Sequence, residues 1–189
     1  MKLFGRTDKL KVSNWLRLGK QATLEVENAD GSVSSVDGPE LARVCDAGGR
    51  VVSTSATALS LTVADHGERV VLVNTNSTVA NTFTLPAATG SGHKFTVINN
   101  IAQTQGTVVV ACAGTDVMSG ICVGVNSTAA GTNGNFLTTA TSDKFTLNLT
   151  TTGGLKGDII EAWDTAAGTY TVRAGINGSG ALATPFSAT

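Results

Sequence analysis

From residue 51 onward the apolar side chains recur at every second position. Leu59, Leu61 and Val63 alternate with Ser60 and Thr62, and Val79, Asn81, Phe83 and Leu85 alternate with Ala80, Thr82 and Thr84. Phe95 and Val97 flank Thr96, Phe145, Leu147 and Leu149 enclose Thr146 and Asn148, and Tyr170, Val172 and Ala174 enclose Thr171 and Arg173. A period of two is the period of a pleated strand, with one set of side chains on a core and the other on a polar face. Thr is the commonest polar partner, and its branched β-carbon suits a pleated surface. Val70-Val71-Leu72-Val73 and Ile159-Ile160 read as more fully buried strands.

Turn chemistry punctuates these runs at Asp65-His66-Gly67, Gly90-Ser91-Gly92, Asn133-Gly134, Gly153-Gly154 and Asn177-Gly178-Ser179-Gly180. About ten short strands result, with no long helical pattern between them. The expected fold is all-β, an antiparallel sandwich or barrel.

The first fifty residues differ in composition. They hold 15 charged side chains and 2 threonines, whereas residues 51–189 hold 12 charged side chains and 26 threonines. Residues 1–20 carry six cations and one acid, a local charge of +5, and residues 21–50 carry two cations and six acids, a local charge of −4. The net charge of −1 hides this segregation. A domain boundary is therefore expected at Gly48-Gly49, with an N-terminal arm and connector over 1–48 and a β domain over 49–189.

Leu10, Trp15, Leu16 and Leu18 interleave with the arm's cations, which fits a short amphipathic helix or an extended arm. Asn28-Ala29-Asp30-Gly31-Ser32 favours a loop or hairpin. One short helix of two or three turns is expected from Pro39, where Asp37 or Gly38 can cap, Pro39 fits the first helical position and Glu40 the first turn, and Gly48-Gly49 closes the segment.

Several function classes find little support. A near-neutral chain has no global attraction to nucleic acid or to an anionic membrane. The longest apolar runs, such as Val108-Val109-Val110-Ala111-Cys112, fall far short of the roughly 20 residues of a membrane helix. The N-terminus lacks the apolar stretch of a signal peptide, so cytosolic synthesis without export is expected. Cys45, Cys112 and Cys122 make a poor disulfide framework, and the latter two read as buried thiols.

The two histidines, His66 and His93, fall in apparent exposed turns, and no spacing selects a nucleophile for either. No CxxC pair or His/Cys cluster marks a metal site, and Asp30, Asp37 and Glu40 do not match a calcium loop. Gly90-Ser91-Gly92-His93-Lys94-Phe95 fails the phosphate-loop spacing and reads as a β-turn. Asn76-Ser77-Thr78 and three similar triplets fit the glycosylation pattern by chance in a Thr-rich chain. Trp163 and Tyr170 are the only aromatics besides five Phe in the β region, and Trp163, following Ile159-Ile160, reads as a core or interface residue.

The stretch Ala64-Asp65-His66-Gly67-Glu68-Arg69-Val70-Val71-Leu72-Val73-Asn74, with Phe83-Thr84-Leu85-Pro86-Ala87-Ala88-Thr89-Gly90-Ser91-Gly92, resembles a family of tailed-bacteriophage virion proteins. Thr152-Gly153-Gly154-Leu155-Lys156-Gly157-Asp158 and Ala183-Thr184-Pro185-Phe186-Ser187-Ala188-Thr189 resemble the same family. The resemblance covers about residues 60–189 and leaves 1–48 unmatched. It implies a β-rich protein on the outside of the virion, often trimeric and without enzymatic activity, and it assigns no site residue.

On these grounds the expected function is capsid decoration, or cementing, on the outer capsid surface of a virion assembled in the host bacterial cytoplasm. The expected partners are the major capsid protein and further copies of the chain as a homotrimer, with no nucleic acid, membrane or cofactor. The candidate capsid-binding residues are Lys2, Phe4, Arg6, Lys9, Lys11, Trp15, Arg17 and Lys20. An aromatic and its aliphatic neighbours supply burial on a partner, and the cations supply steering and register. The same arm is also compatible with nucleic acid or with a solvated tail. The rivals are a head or tail fibre or receptor-binding protein that recognises a host surface glycan through loops near Trp163, and a glycan-active enzyme, for which no acid/base pair stands out.

Overall fold

A β-strand pair comes first among the described residues. The computed structural model describes Thr23–Glu27, Val33–Asp37, residues 50–128 and residues 133–188. The chain divides into two units, Met1–Gly48 and Gly49–Thr189. In the first, β1 (Thr23–Glu27) pairs antiparallel with β2 (Val33–Asp37), in register from Thr23 opposite Asp37 to Glu27 opposite Val33. The residues expected to turn between them, 28–32, and the helix expected after Pro39 lie outside the described residues, as does Cys45.

The second unit is an all-β sandwich with one short helix. Its strands are β3 (Val51–Thr54), β4 (Ala58–Ser60), β5 (Val70–Val73), β6 (Asn81–Thr84), β7 (Lys94–Asn99) and β8 (Val108–Ala111). There follow β9 (Val117–Asn126), β10 (Asn133–Leu137), β11 (Lys144–Leu147), β12 (Ile159–Ala166), β13 (Thr169–Gly178) and β14 (Phe186–Ser187). One sheet runs β10-β9-β13-β12-β7-β5-β3, and the other runs β14-β11-β8-β6-β4.

The pairing departs from the antiparallel expectation. Strands β3 to β8 alternate between the two sheets, and each lies parallel to the strand two before it: β3 with β5, β5 with β7, β4 with β6, and β6 with β8. The chain thus winds as a coil, and the strand in the opposite sheet serves as the crossover that parallel pairing requires. Antiparallel pairs then close the structure. β12 lies between β7 and β13, β10 folds back on β9, and β11 lies between β8 and β14, while β13 and β9 run parallel. Side-chain alternation has the same period in both kinds of sheet, so it carries no information on strand direction.

The core lies between the sheets. Phe83, Leu85, Val108, Val110, Phe145 and Leu147 meet Val71, Val73, Phe95, Val97, Ile160, Tyr170 and Val172, all buried. Phe95 and Tyr170 pack edge to face with ring centroids 6.3 Å apart. The strand alternation expected for Phe83–Leu85, Phe95–Val97, Phe145–Leu147 and Tyr170–Ala174 matches this inner set. Cys122 is buried and Cys112 half-buried, and burial pushes both thiols up to about 12.

Local expectations are corrected at four places. Val63, expected to continue the alternation of Leu59 and Leu61, lies in a helix and is 39% exposed. Val79 is 58% exposed, outside the alternating set that begins at Asn81. Leu149 adopts a positive φ of 78° and so leaves the strand. The expected turn at Asp65-His66-Gly67 is instead a one-turn helix, α1 (Val63–His66). Thr62 caps it: its side chain accepts from the Asp65 N–H at 3.1 Å and donates to Asp65 Oδ2 at 2.8 Å. His66 is buried rather than exposed, and its Nδ1 accepts from the Thr62 N–H at 3.0 Å.

Candidate interaction surface

The candidate capsid-binding residues Lys2, Phe4, Arg6, Lys9, Lys11, Trp15, Arg17 and Lys20 all lie outside the described residues. The β domain therefore has to be read for itself, beginning with its two poles. Each pole is organised by a buried aspartate on or beside β12.

At one pole Asp164 gathers the turn Thr89-Gly90-Ser91. Its Oδ1 accepts from the Thr89 N–H at 2.9 Å and the Gly90 N–H at 2.7 Å. Its Oδ2 accepts from the Ser91 N–H at 3.1 Å, the Ser91 hydroxyl at 2.6 Å and the Thr89 hydroxyl at 3.0 Å. Burial alone raises this carboxyl, but the Ser91 hydroxyl and the Gly90, Thr89 and Ser91 N–H groups overcome it and hold the group well below the usual carboxylate range. Nearby, Asp116 Oδ2 accepts from the Ala88 N–H at 2.6 Å, and the Tyr170 hydroxyl donates to the Pro86 carbonyl at 3.0 Å. Gly90 has a φ of +79°, a conformation open to glycine at little cost. The string Leu85–Gly92 thus spells a clamped connection between β6 and β7.

At the other pole Asp158 Oδ2 accepts from the Gly154 and Leu155 N–H groups at 2.6 and 3.1 Å, and its Oδ1 accepts from the Asn177 N–H at 2.7 Å. Here burial outweighs these donors and the carboxyl is raised. Asn99 donates to the Gly154 and Leu155 carbonyls at 3.0 and 2.9 Å, so the Gly153-Gly154 turn is tied to the end of β7 as well.

The histidines and charged side chains between these poles are spread out. Asp65 is bonded to Thr62 and His66 to the Thr62 backbone, so this pair serves the helix cap. His93 Nδ1 lies 3.9 Å from Glu68 Oε1 at the surface. Among the described residues no three His, Cys, Asp or Glu side chains are grouped to hold a metal ion, and no helix is long and apolar enough to cross a membrane.

The distinctive surface is the outer face of the seven-stranded sheet. On β9 the inward positions are Cys122, Gly124 and Asn126, while the outward positions Ile121, Val123 and Val125 are 43%, 46% and 47% exposed. Leu137, directly opposite Ile121 on β10, is 72% exposed. This inverts the usual polar exterior of a sandwich strand. The β9–β10 ribbon keeps this orientation because the Phe136 ring lies over Gly124 and Gly134, where side chains would collide with it.

The register carries the apolar character across the sheet. Val123 is aligned with Gly175, Gly175 with Ile159, Ile159 with Ile98, and Ile98 with Leu72. One apolar band thus crosses β9, β13, β12, β7 and β5. The neighbouring row holds the charges: Arg173 is aligned with Ile121 on one side and Glu161 on the other, and Glu161 Oε1 accepts from Lys94 Nζ at 3.2 Å. Trp163 sits half-buried on this same outer face, with Lys94 Nζ 5.8 Å from its ring centroid. Its place is the sheet surface rather than the core.

Sequence reasoning missed this face. The signal was present in the order of residue sizes, since the glycines and Asn126 alternate with branched aliphatics along β9. Periodicity alone does not say which set points inward.

No family model, no curated protein and no solved structure matches this chain.

Proposed function

We propose that the chain is a non-enzymatic structural protein of a phage virion, a decoration protein that binds the outer surface of the assembled capsid and stabilises it. What supports this reading is the resemblance of strings between about residues 60 and 189, above all Phe83–Gly92, to tailed-bacteriophage virion proteins. Two further features support it. The charges are concentrated in the first fifty residues, and the β domain offers a broad sheet face that carries an apolar stripe. In this reading the arm binds the major capsid protein, and the β domain assembles with its own copies as a homotrimer.

The mechanism is linkage. A ligand that binds only the assembled shell stabilises that shell, by about 2.7 kcal/mol per site at a free concentration of 100 Kd. Several arms on one oligomer act together through effective concentration. Lys2, Arg6, Lys9, Lys11, Arg17 and Lys20 steer the approach, and Phe4 and Trp15 supply burial. The test is co-sedimentation of the purified protein with undecorated mature capsids. Wild type is expected to pellet with the capsids, and a variant with the six cations changed to Glu is expected to bind at least tenfold more weakly. A wild-type protein that stays in the supernatant overturns the reading, and full binding by a chain lacking residues 1–20 overturns the role of the arm.

The position of Trp163 favours a second reading, a fibre or receptor-binding protein that takes a host glycan. A half-buried indole on the outer face of the sheet, beside Lys94 and Glu161, has the stacking surface and polar neighbours that a sugar ring requires. A glycan array probed with the full chain decides it: hits lost in Trp163→Ala support it, and an array with no hits removes it.

A further inference from the structure

The geometry points to the outer face of β9 and β10 as the surface through which one copy of this chain meets another, with Val123 at its centre. This deepens the reading that the chain assembles with its own copies, and rests on it for the existence of an oligomer. It adds the contact surface.

The first argument is the placement of the aliphatics. Ile121, Val123 and Val125 lie on one strand at every second position, and Leu137 extends the row onto the edge strand. Their outward orientation is locked, because a one-residue slip of β9 would drive them into the space that Cys122 and Gly124 occupy. Branched aliphatics on a paired strand have little rotamer freedom left to lose, so burying them against a second surface carries a small entropic cost.

The second argument is charge. Where a patch meets itself, across a twofold axis or around a threefold axis, it meets the same charges it carries, so a net charge on it is repelled. The stripe has no charged residue on β9 or β10. The row beside it presents Arg173 and Glu161 in alignment, opposite signs side by side. Such a surface is self-compatible. It offers nothing to select a polyanion or an acidic protein, for which an uncompensated basic patch is required.

The third argument is size. The seven strands run from four residues in β3 and β5 to 10 in β9 and β13, and at roughly 4.8 Å spacing and 3.3 Å per residue they give a face on the order of 750 Å². Stable interfaces take about 800 Å² from each partner, so a stable contact would use essentially the whole of this face. Two sheets stacked through it would repeat, between copies, the packing already present between the sheets of one copy.

The test uses the full chain in analytical ultracentrifugation across a concentration series. Wild type is expected to sediment as a multiple of 19.1 kDa. Val123→Glu is expected to sediment as the single chain, with strand content by circular dichroism unchanged. Ser60→Glu, an exposed change on β4 in the other sheet, is expected to leave the oligomer intact. Val123→Thr keeps the shape and the branched β-carbon, and its expected effect is a severalfold rise in the dissociation constant. It decides the matter if the Glu variant does not fold.

A wild-type monomer at about 100 μM overturns the inference, since a dissociation constant above that level is not a stable assembly. A Val123→Thr oligomer as tight as wild type overturns it equally. The decoration reading fails separately. An oligomer dispersed by Val123→Glu that ignores capsids sinks decoration and leaves this surface standing, whereas a monomer that pellets with capsids does the reverse.

Discussion

Asp164 explains why the string Thr89-Gly90-Ser91 takes the shape it does. Three backbone N–H groups and two hydroxyls converge on one carboxylate that is 3% exposed. Hydrogen bonds to a charged group contribute about 1.5–3 kcal/mol each, and their donors are costly to leave unpaired. Asp164→Ala is therefore expected to lose on the order of 3 kcal/mol, read as a lower urea midpoint at unchanged slope. The pH dependence follows from the depressed pKa. Stability from Asp164 is fully present above the unfolded-state value of about 3.9 and is lost as pH falls from there through the folded-state value. Asp158 has the opposite sign, because its raised folded-state pKa makes folding take up a proton, so its contribution improves as pH falls through that value. Asp164→Asn is expected to flatten the acid limb of a Tm-against-pH profile below about pH 4, whereas Asp158→Asn is expected to act above about pH 4, removing the gain in stability that the wild type shows as pH falls toward that value. Much of the residue scale was legible: Phe95, Val97, Phe145, Leu147, Tyr170 and Val172 fall on the core by alternation alone. His66 was not, because its burial depends on a cap that Thr62 builds with Asp65, a contact that competes with the turn signal of Gly67.

At the scale of elements, strand existence was legible and strand direction was not. Four-residue strands joined by short loops read the same whether the chain returns beside its predecessor or crosses to the opposite sheet. The parallel coil from β3 to β8 and the parallel pair β9–β13 arise from that second choice. The close approach of β9 to β13 leaves a mark at one position. A β-carbon at Gly120 would lie 1.9 Å from the Val172 carbonyl oxygen and 2.8 Å from its carbon, and backbone cannot swing aside as a side-chain tip can. Gly120→Ala is expected to force the two strands apart at a cost of about 3 kcal/mol, the upper part of the range for overpacking. Chemical denaturation measures the loss, and hydrogen exchange is expected to show faster exchange at the β9–β13 amides than in β5 or β6. The apolar stripe on β9 belongs to this scale too, since only the register with β10 and β13 shows that Ile121, Val123 and Val125 face out.

For the whole molecule, the arm's candidate residues and the β9–β10 stripe differ in chemistry, and contacts made through them answer to different solvent conditions. The arm's candidate residues include six cations within residues 1–20, whereas the β9–β10 stripe has none. Raising the ionic strength from about 0.1 M to 1 M shortens the Debye length from roughly 10 to 3 Å, which weakens contacts between exposed charges. Burial of aliphatic surface does not fade in this way, and excluded salts such as sulfate strengthen it. Capsid binding through the arm is therefore expected to fall steeply between 0.1 and 1 M NaCl, at least tenfold, on this screening argument. Self-association through Val123 is expected to hold constant in NaCl and to tighten in ammonium sulfate. Sedimentation of the free protein and of protein mixed with capsids, run in the same buffers, separates the two responses. Parallel loss of both in NaCl would mean that charge holds the copies together, and the stripe would then have no part in assembly.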